Sequence, residues 1–378
     1  MVTIAATAER SDEPRVGLTP ETAKKYAGKG ARVVVERGAG LRSRFSDEAY
    51  VAAGCTVAPD LAATLQGADL VLKVRRPAAE EVALMKSGSM VLAMLEPFGD
   101  RAGLEAIAGR GITSFAMEMM PRITRAQSMD VLSSQSNLAG YKAVLDAAAA
   151  FDRALPMMMT AAGTVPAARV FVMGAGVAGL QAIATARRLG AVVTATDVRP
   201  AAKEQVASLG AKFIAVEDEE FRQAETAAGY AKPMSAEYQQ KQQALVAEHL
   251  KTQDIVITTA LIPGRPAPRL ISKEMVASMK PGAIVLDMAV ERGRNCELAK
   301  AGETVEVNGV RIIGPLNLAG EVAVNASSLY AKNLFNFLDP LLEKGSEALK
   351  INWDDEIIKG TLVTKDGAIV HPALEKKG

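Results

Sequence analysis

The chain is poor in the residues that most often signal special chemistry. Among 378 residues there are two cysteines, two histidines and one tryptophan, and aromatic residues make up only 4%. Cys55 and Cys296 stand far apart and in no metal-ligand spacing. That argues against a disulfide scaffold or a zinc site and predicts ordinary thiols of a reducing compartment. Charge of one sign is also missing, because 44 basic residues are interspersed with 43 acidic ones for a net charge of +1. Attraction to nucleic acid or to a membrane surface is therefore not expected. No segment reaches the ~20 apolar residues needed to cross a bilayer. The longest uncharged run, 170–186, contains three glycines. Met1 to Thr7 lacks the basic start and apolar core of a signal peptide. The expectation is a soluble, cytoplasmic protein, with any membrane role arriving through a partner.

Small apolar residues are abundant instead, and 31 glycines punctuate them. One group of glycines stands out: Gly174-Ala-Gly176-Val177-Ala-Gly179. Before it runs Arg169–Met173, β-branched and apolar. After it runs an Ala- and Leu-rich stretch from Leu180 to Leu189, closed by Gly190, which reads as a helix with a glycine cap. A second strand-like run, Ala191–Thr196, ends at Asp197, 23 positions after the first glycine. This is the dinucleotide-binding pattern. The first glycine permits the tight turn, the second lets backbone approach a pyrophosphate, and the third lets helix pack on strand. The helix N-terminus offers free N–H groups to the phosphates. Asp197 is placed to accept from adenosine ribose hydroxyls, which favours NAD(H), whereas Arg199 nearby could accommodate a 2′-phosphate.

Strand-like and helical runs alternate from end to end, the pattern of an α/β protein with doubly wound, Rossmann-like parallel sheets. Strands are expected at Val2–Ala6, Arg32–Glu36, Asp69–Val74, Met90–Leu95 and Ile112–Ala116. A second set is expected at Lys212–Val216, Asp254–Thr259, Ala283–Met288 and Arg311–Gly314. A long helix is expected from Leu132 to Arg153. The triplet Met157–Met159 reads as apolar filler at a domain junction. Glu217 to Gln243 is polar and Gln-rich, which suggests a functional loop or an insertion. Val322 to Leu342 has the length of a helix crossing back to the first domain. Leu362 to Val370 reads as a hairpin around Asp366-Gly367 that must pack on something larger, here placed on the N-terminal domain. The expected domains are 1–135 with 325–378, and 136–324.

Three further segments identify a family. These are Glu9 to Pro20 with Arg15, Leu72-Lys73-Val-Arg75, and Pro121-Arg122-Ile-Thr-Arg125-Ala-Gln127-Ser128-Met129-Asp130-Val-Leu-Ser133-Ser-Gln-Ser-Asn137. With the glycine turn they resemble the family that joins alanine dehydrogenase to the NAD(H)-binding component of proton-translocating nicotinamide nucleotide transhydrogenase. The last segment narrows the resemblance to the transhydrogenase branch. It implies two Rossmann-like domains joined by long helices, with NAD(H) in the cleft between them. Arg122, Gln127 and Asp130 would form a loop over the nicotinamide, with Ser128, Met129 and Ser133 beside it. The family's other NAD contacts map to Gly174, Gly176, Val177, Gly179, Asp197, Val198, Arg199 and Leu261, and its mobile loop maps to Gly229-Tyr230 within 217–243. The resemblance also implies NADP(H) on a partner subunit, a membrane-spanning proton-channel component, a homodimer, and a place on the inner face of the membrane.

Departures from the alanine dehydrogenase pattern matter as well. Arg15 and Lys73 occupy that enzyme's substrate-binding places, but Glu96 stands where its histidine would be and Glu291 where its catalytic aspartate would be. Oxidising an amine with NAD releases a proton and calls for a base tuned near neutrality. His249 and His371 both fall outside the site motifs. Arg15 and Lys73 are therefore expected to be scaffolding, ion-paired with Glu9 or Glu96. Hydride transfer between two nicotinamides needs no such base, only two rings at contact distance with water excluded. An alanine dehydrogenase-like enzyme and a non-catalytic NAD(H) sensor remain as alternative readings.

Overall fold

The computed structural model describes residues 1–10, 13–224, 234–262 and 264–374. The chain divides into two compact units, one made of Met1–Gln135 together with the chain from Gly320 on, the other of Ser136–Ala319. The first unit holds an eight-stranded sheet in the order Ala368–Ile369, Leu362–Lys365, Thr113–Ala116, Met90–Met94, Leu70–Arg75, Thr3–Ala6, Arg32–Glu36, Thr56–Ala58. Its first six strands in chain order pair in parallel. The C-terminal hairpin adds at one edge, antiparallel, where Leu362 faces Phe115. The central strands are largely apolar, Lys73 and Arg75 in Leu70–Arg75 excepted, because helices cover both faces. The three-residue strand Thr56–Ala58 is too short to be read in the sequence.

On one face lies the helix Ala323–Leu338, which buries Ala326, Tyr330, Leu334 and Phe337 at helical spacing. Tyr330 satisfies its buried hydroxyl by donating to the Lys73 carbonyl oxygen at 2.9 Å. This helix lies within the first unit rather than leading back to it. Lys29 and Gly345 tie its C-terminal connection to the end of helix Pro20–Gly28, through Lys29 Nζ on the Asp339 carbonyl oxygen (2.7 Å) and the Gly345 N–H on that of Lys29 (3.0 Å).

The second unit holds a seven-stranded sheet in the order Lys212–Phe213, Val192–Thr196, Arg169–Met173, Ile255–Thr258, Ile284–Asp287, Val310–Ile313, Thr304–Val307. Six are parallel and the last is antiparallel. Counted along the unit, the parallel strands run 3-2-1-4-5-6. The order therefore reverses beside Arg169–Met173, and ligands of such sheets bind at the C-terminal end of that strand. The glycine turn begins there.

Three expectations require correction. Met157, Met158 and Met159 are not buried filler. They are exposed, and Met158–Thr160 pairs with Gly163–Val165 as a separate two-stranded hairpin. Lys212–Phe213 is a strand of two residues rather than five. The polar stretch 217–243 is not one loop, because Glu219–Arg222 is helical and Ala236–Leu250 is a helix of 15 residues. That helix is polar because it buries only Tyr238, Val246 and Leu250, and two of its side chains hold the neighbouring backbone: Gln242 Oε1 accepts from the Val216 N–H at 2.9 Å, and Tyr238 donates to the Val216 carbonyl oxygen at 3.1 Å. Gly229 and Tyr230 lie outside the described residues. Among the described residues no helix is long and apolar enough to cross a membrane, and no His, Cys, Asp and Glu cluster could hold a metal ion.

Candidate functional site

In the second unit the predicted nucleotide residues meet at the end of strand Arg169–Met173. Gly174 has φ +105°, a conformation L side chains rarely adopt. A Cβ on Gly179 would lie 1.8 Å from the Gly174 carbonyl oxygen, so helix and turn touch only because no side chain intervenes. Gly176 is different. A Cβ there would meet nothing within 4 Å, so the space over it is free for a ligand rather than needed for packing. Helix Val177–Arg188 starts at Gly176 with no side-chain cap, which leaves its first N–H groups to an anion. These are the features a dinucleotide pyrophosphate requires, and the residues fit it.

Asp197 joins the second strand to the turn. Its Oδ2 accepts from the Ala175 N–H at 2.7 Å and its Oδ1 from the Arg199 N–H at 2.8 Å. The Arg199 guanidinium folds back onto the same carboxylate at 2.9 and 3.1 Å. Asp197 thus shapes the turn, and Arg199 is occupied in holding it. Val198 and Leu261, both more than half exposed, and Val177 present apolar surface around this end of the sheet. Sequence reasoning missed what supports Leu261. Asn295, fully buried, clamps the preceding Ala260 with both amide atoms, accepting from its N–H and donating to its carbonyl oxygen, each at 2.9 Å. Asp287 in turn accepts from the Asn295 and Cys296 N–H groups at 2.7 and 2.8 Å. Asp287 closes an otherwise apolar strand, which is a readable sign of a buried acceptor. Asn295 carried no sign.

In the first unit the segment Arg122–Ser133 forms a tight turn, Thr124–Met129, leading into helix Val131–Ala150. Ala126 is buried, and Ile123 and Met129 pack against the same core. Gln127 and Ser128 therefore point outward, and Arg122 is exposed. Asp130 caps the helix: its Oδ1 accepts from the Ser133 N–H at 2.9 Å and its Oδ2 from Ser133 Oγ at 2.6 Å. Arg125, which is not among the expected site residues, makes a two-pronged ion pair with Asp355 at 2.8 and 2.9 Å. Arg122, Gln127, Ser128, Met129, Asp130 and Ser133 thus share one short turn of the first unit. Gly174, Gly176, Val177, Gly179, Asp197, Val198 and Arg199 share one strand end of the second, and Leu261 follows the adjacent strand.

Arg15 and Lys73 are both spent on carboxylates, as scaffolding would be. Lys73, 1% exposed, lies 2.9 Å from Glu81 and 3.5 Å from Glu9. The expected partner of Arg15 needs correction. It pairs with Glu13, through two bonds of 2.6 Å, and not with Glu9 or Glu96. Glu96 meets Arg75 instead, at 3.5 Å. Burial pushes the Glu13 carboxyl up, but the hydrogen bonds and charge of Arg15, aided by Arg75, outweigh it and hold it at about 2. For Glu9 burial wins over Lys73 and the N–H groups of Val74 and Arg75, and its pKa is raised. His249 stands in a helix against Phe171 and Thr194, its Nε2 2.8 Å from Thr194 Oγ1. Burial lowers its pKa and favours the neutral ring. Glu291 accepts from the Asn317 N–H at 3.3 Å. Both cysteines are free and buried.

Strand order and glycine turn together define an α/β protein of Rossmann-like units with a dinucleotide-type turn. The chain belongs to the alanine dehydrogenase/PNT family, whose N-terminal domain model matches residues 5–139 and whose C-terminal domain model matches residues 143–372. Within that family it sides with the transhydrogenases. It is 56% identical to the first-part polypeptide of NAD(P) transhydrogenase subunit alpha from Rhodospirillum rubrum, over 98% of this chain and 97% of that one. It is 44% identical to the protein of the same name from Rickettsia prowazekii, over 100% and 98%. A crystal structure of transhydrogenase from Sinorhizobium meliloti superposes with a TM-score of 0.89 at 60% identity, covering 97% of this chain and 100% of that one.

Proposed function

We propose that the chain is the NAD(H)-binding half of a proton-translocating transhydrogenase. Hydride would pass directly between the nicotinamide held here and that of NADP(H) on a partner subunit, with a membrane-spanning component coupling the transfer to proton movement. The observation that carries this reading is the Gly174–Gly179 turn locked to Asp197 in a chain of the transhydrogenase branch.

The chain's own residues would divide the work as follows. N–H groups of the turn and helix start take the pyrophosphate. Asp197 accepts from the adenosine ribose hydroxyls, which take the place of the Arg199 guanidinium on a carboxylate whose acceptor sites, about four in number, are now filled by the Ala175 and Arg199 N–H groups and that guanidinium. A 2′-phosphate there would face that carboxylate, which keeps NADP(H) for the partner. Val177, Val198 and Leu261 give the adenosine end apolar cover. Gln127 bonds the nicotinamide carboxamide or bridges to the partner's nucleotide. Arg122 pairs with a pyrophosphate or orients its own loop. Asp130 and Ser133, already joined, fix carboxamide and ribose. Neither His249 nor His371 has a role, because this transfer moves no proton to a side chain.

Turnover then requires the NADP(H)-binding partner, and the protein sits at the inner face of the membrane through its complex. Two copies associate, a reading supported by the exposed hairpin of Met158–Thr160 and Gly163–Val165, in which Met159 is 75% exposed. The test is hydride transfer from NADPH to an NAD⁺ analogue of distinct absorbance, run with the chain alone and with the family's NADP(H)-binding component added. Fast transfer only in the mixture, lost in Gln127→Asn, is the expected result. No transfer in the mixture while both nucleotides are bound would sink the reading.

A further inference from the structure

The turn that carries Gln127 and Asp130 is held by side chains from a helix some 200 residues away in sequence. Asn333 and Asn336, three apart on Ala323–Leu338, both donate to one acceptor. Asn333 Nδ2 lies 2.8 Å and Asn336 Nδ2 2.9 Å from the Ser128 carbonyl oxygen. The Asn333 amide oxygen accepts from Ser134 Oγ at 2.7 Å, and Ser134 Oγ accepts from Gln135 Nε2 at 3.2 Å. Gln135 Oε1 accepts from Arg15 Nη1 at 2.8 Å, and Arg15 is anchored by Glu13. Gln135 Nε2 also donates to the Ala326 carbonyl oxygen at 3.1 Å, back on the helix that carries Asn333. Glu13, Arg15, Gln135 and Asn333 are all at most 7% exposed.

Solvation alone does not call for this arrangement. Ser128 lies on an exposed turn, where water could satisfy its carbonyl without any buried side chain. Burying an arginine, a carboxylate and two amides is costly unless each finds its partners. Here each does, and the chain of bonds ends on the backbone between Gln127 and Asp130. Fixing the Ser128 carbonyl fixes the Ser128–Met129 peptide plane, the middle one of the three that join the Gln127 and Asp130 Cα atoms. The Ser133 bonds to Asp130 fix the turn's far end, and the Ser134–Asn333 bond joins the two helices that do the holding.

We propose that Asn333 and Asn336 are positioning residues that preorganise Gln127 and Asp130 for the nicotinamide, with Ser134, Gln135 and Arg15 as the brace behind them. This rests on the transhydrogenase reading given above. A turn held in advance spares the ordering that transfer between two rings at contact distance would otherwise demand.

The test uses Asn333→Asp, which keeps the side chain's shape and removes its donor, and Asn336→Ala, which removes the second donor at an exposed position. Amide hydrogen exchange of residues 124–131, NADH affinity, melting temperature and transfer with the NADP(H)-binding component are measured on each. Asn333→Asp is expected to speed exchange in this turn about tenfold and to slow transfer at saturating nucleotide about tenfold, with NADH affinity within about twofold. Asn336→Ala should shift both in the same direction by about threefold. A purely structural role predicts otherwise: a lower melting temperature with transfer per folded molecule unchanged, and that outcome overturns the proposal. Unchanged exchange in both variants overturns it as well. If wild-type protein transfers hydride and Asn333→Asp matches it, only the positioning role falls. If wild-type protein with its partner transfers none, the function reading falls and takes this proposal with it.

Discussion

The glycine turn of the second unit and the Gln127 turn of the first are built in opposite ways. The glycine turn is made by backbone. Its shape follows from missing Cβ atoms at Gly174 and Gly179, and one nearby carboxylate, Asp197, holds it. The Gln127 turn has no such local logic. Apolar anchors at Ala126 and Met129 press it to the core, Asp355 grips Arg125, and Asn333 and Asn336 grip Ser128. A phosphate-binding surface can be made of N–H groups alone, whereas orienting one ring face against another needs side chains set at fixed angles.

The largest expected effect strikes the side-chain-built unit and should spare the other. Lys73→Met leaves Glu9 and Glu81 buried without their cation, and removing one partner of such a group costs about 3–5 kcal/mol. The loss should ease as pH falls. The raised pKa of Glu9 makes its charged form the costly one, and protonation below that pKa removes the cost. Urea unfolding from pH 8 down to pH 5 reads this directly, and a loss that deepened on acidification would contradict it.

The next test breaks the glycine turn in two ways that the geometry distinguishes. Gly179→Ala drives a Cβ into the Gly174 carbonyl oxygen and should cost about 3 kcal/mol or more of stability along with NADH binding. Gly176→Ala meets open space, so the melting temperature should hold while NADH binding weakens. If both variants lost stability equally, the open space at Gly176 would not be the ligand's. Asp197→Asn follows. Losing a charge-assisted acceptor of about 1.5–3 kcal/mol predicts NADH binding weaker by roughly 10- to 100-fold in titrations. Arg125→Ala should do least. Its ion pair with Asp355 is exposed, and such pairs contribute at most about 1 kcal/mol, so thermal unfolding should shift only slightly.

The same contrast explains what the sequence disclosed. The glycine turn and its strand–helix–strand frame were readable because their constraints lie within 29 consecutive residues, 169–197, and are steric. Most central strands were readable because burial on both faces makes them almost wholly apolar, with Lys73 the buried exception. The short strand Thr56–Ala58 and the antiparallel edge strand Thr304–Val307 carry too few residues, or too polar a pattern, to show. Met157–Met159 misled because an apolar triplet looks the same whether it fills a junction or stands exposed in a hairpin. Arg15 misled because Glu13, two residues away, looked no different from Glu9, and only the folded loop decides between them. The supports of the Gln127 turn were invisible. Asn333 and Asn336 lie on a helix whose apolar spacing announces only its buried side, and their shared acceptor is a backbone oxygen that no side-chain pattern encodes.

The central claim is direct passage of hydride between two nicotinamides, and isotope tracing tests it most closely. NADPH deuterated at the transferring position of its ring would be mixed with NAD⁺, this chain and the NADP(H)-binding component, and the NADH formed analysed by mass spectrometry. The account predicts that the deuterium arrives in NADH undiluted by solvent protons. NADH formed without the label would show that the hydride passes through an exchangeable intermediate, and the account would be wrong.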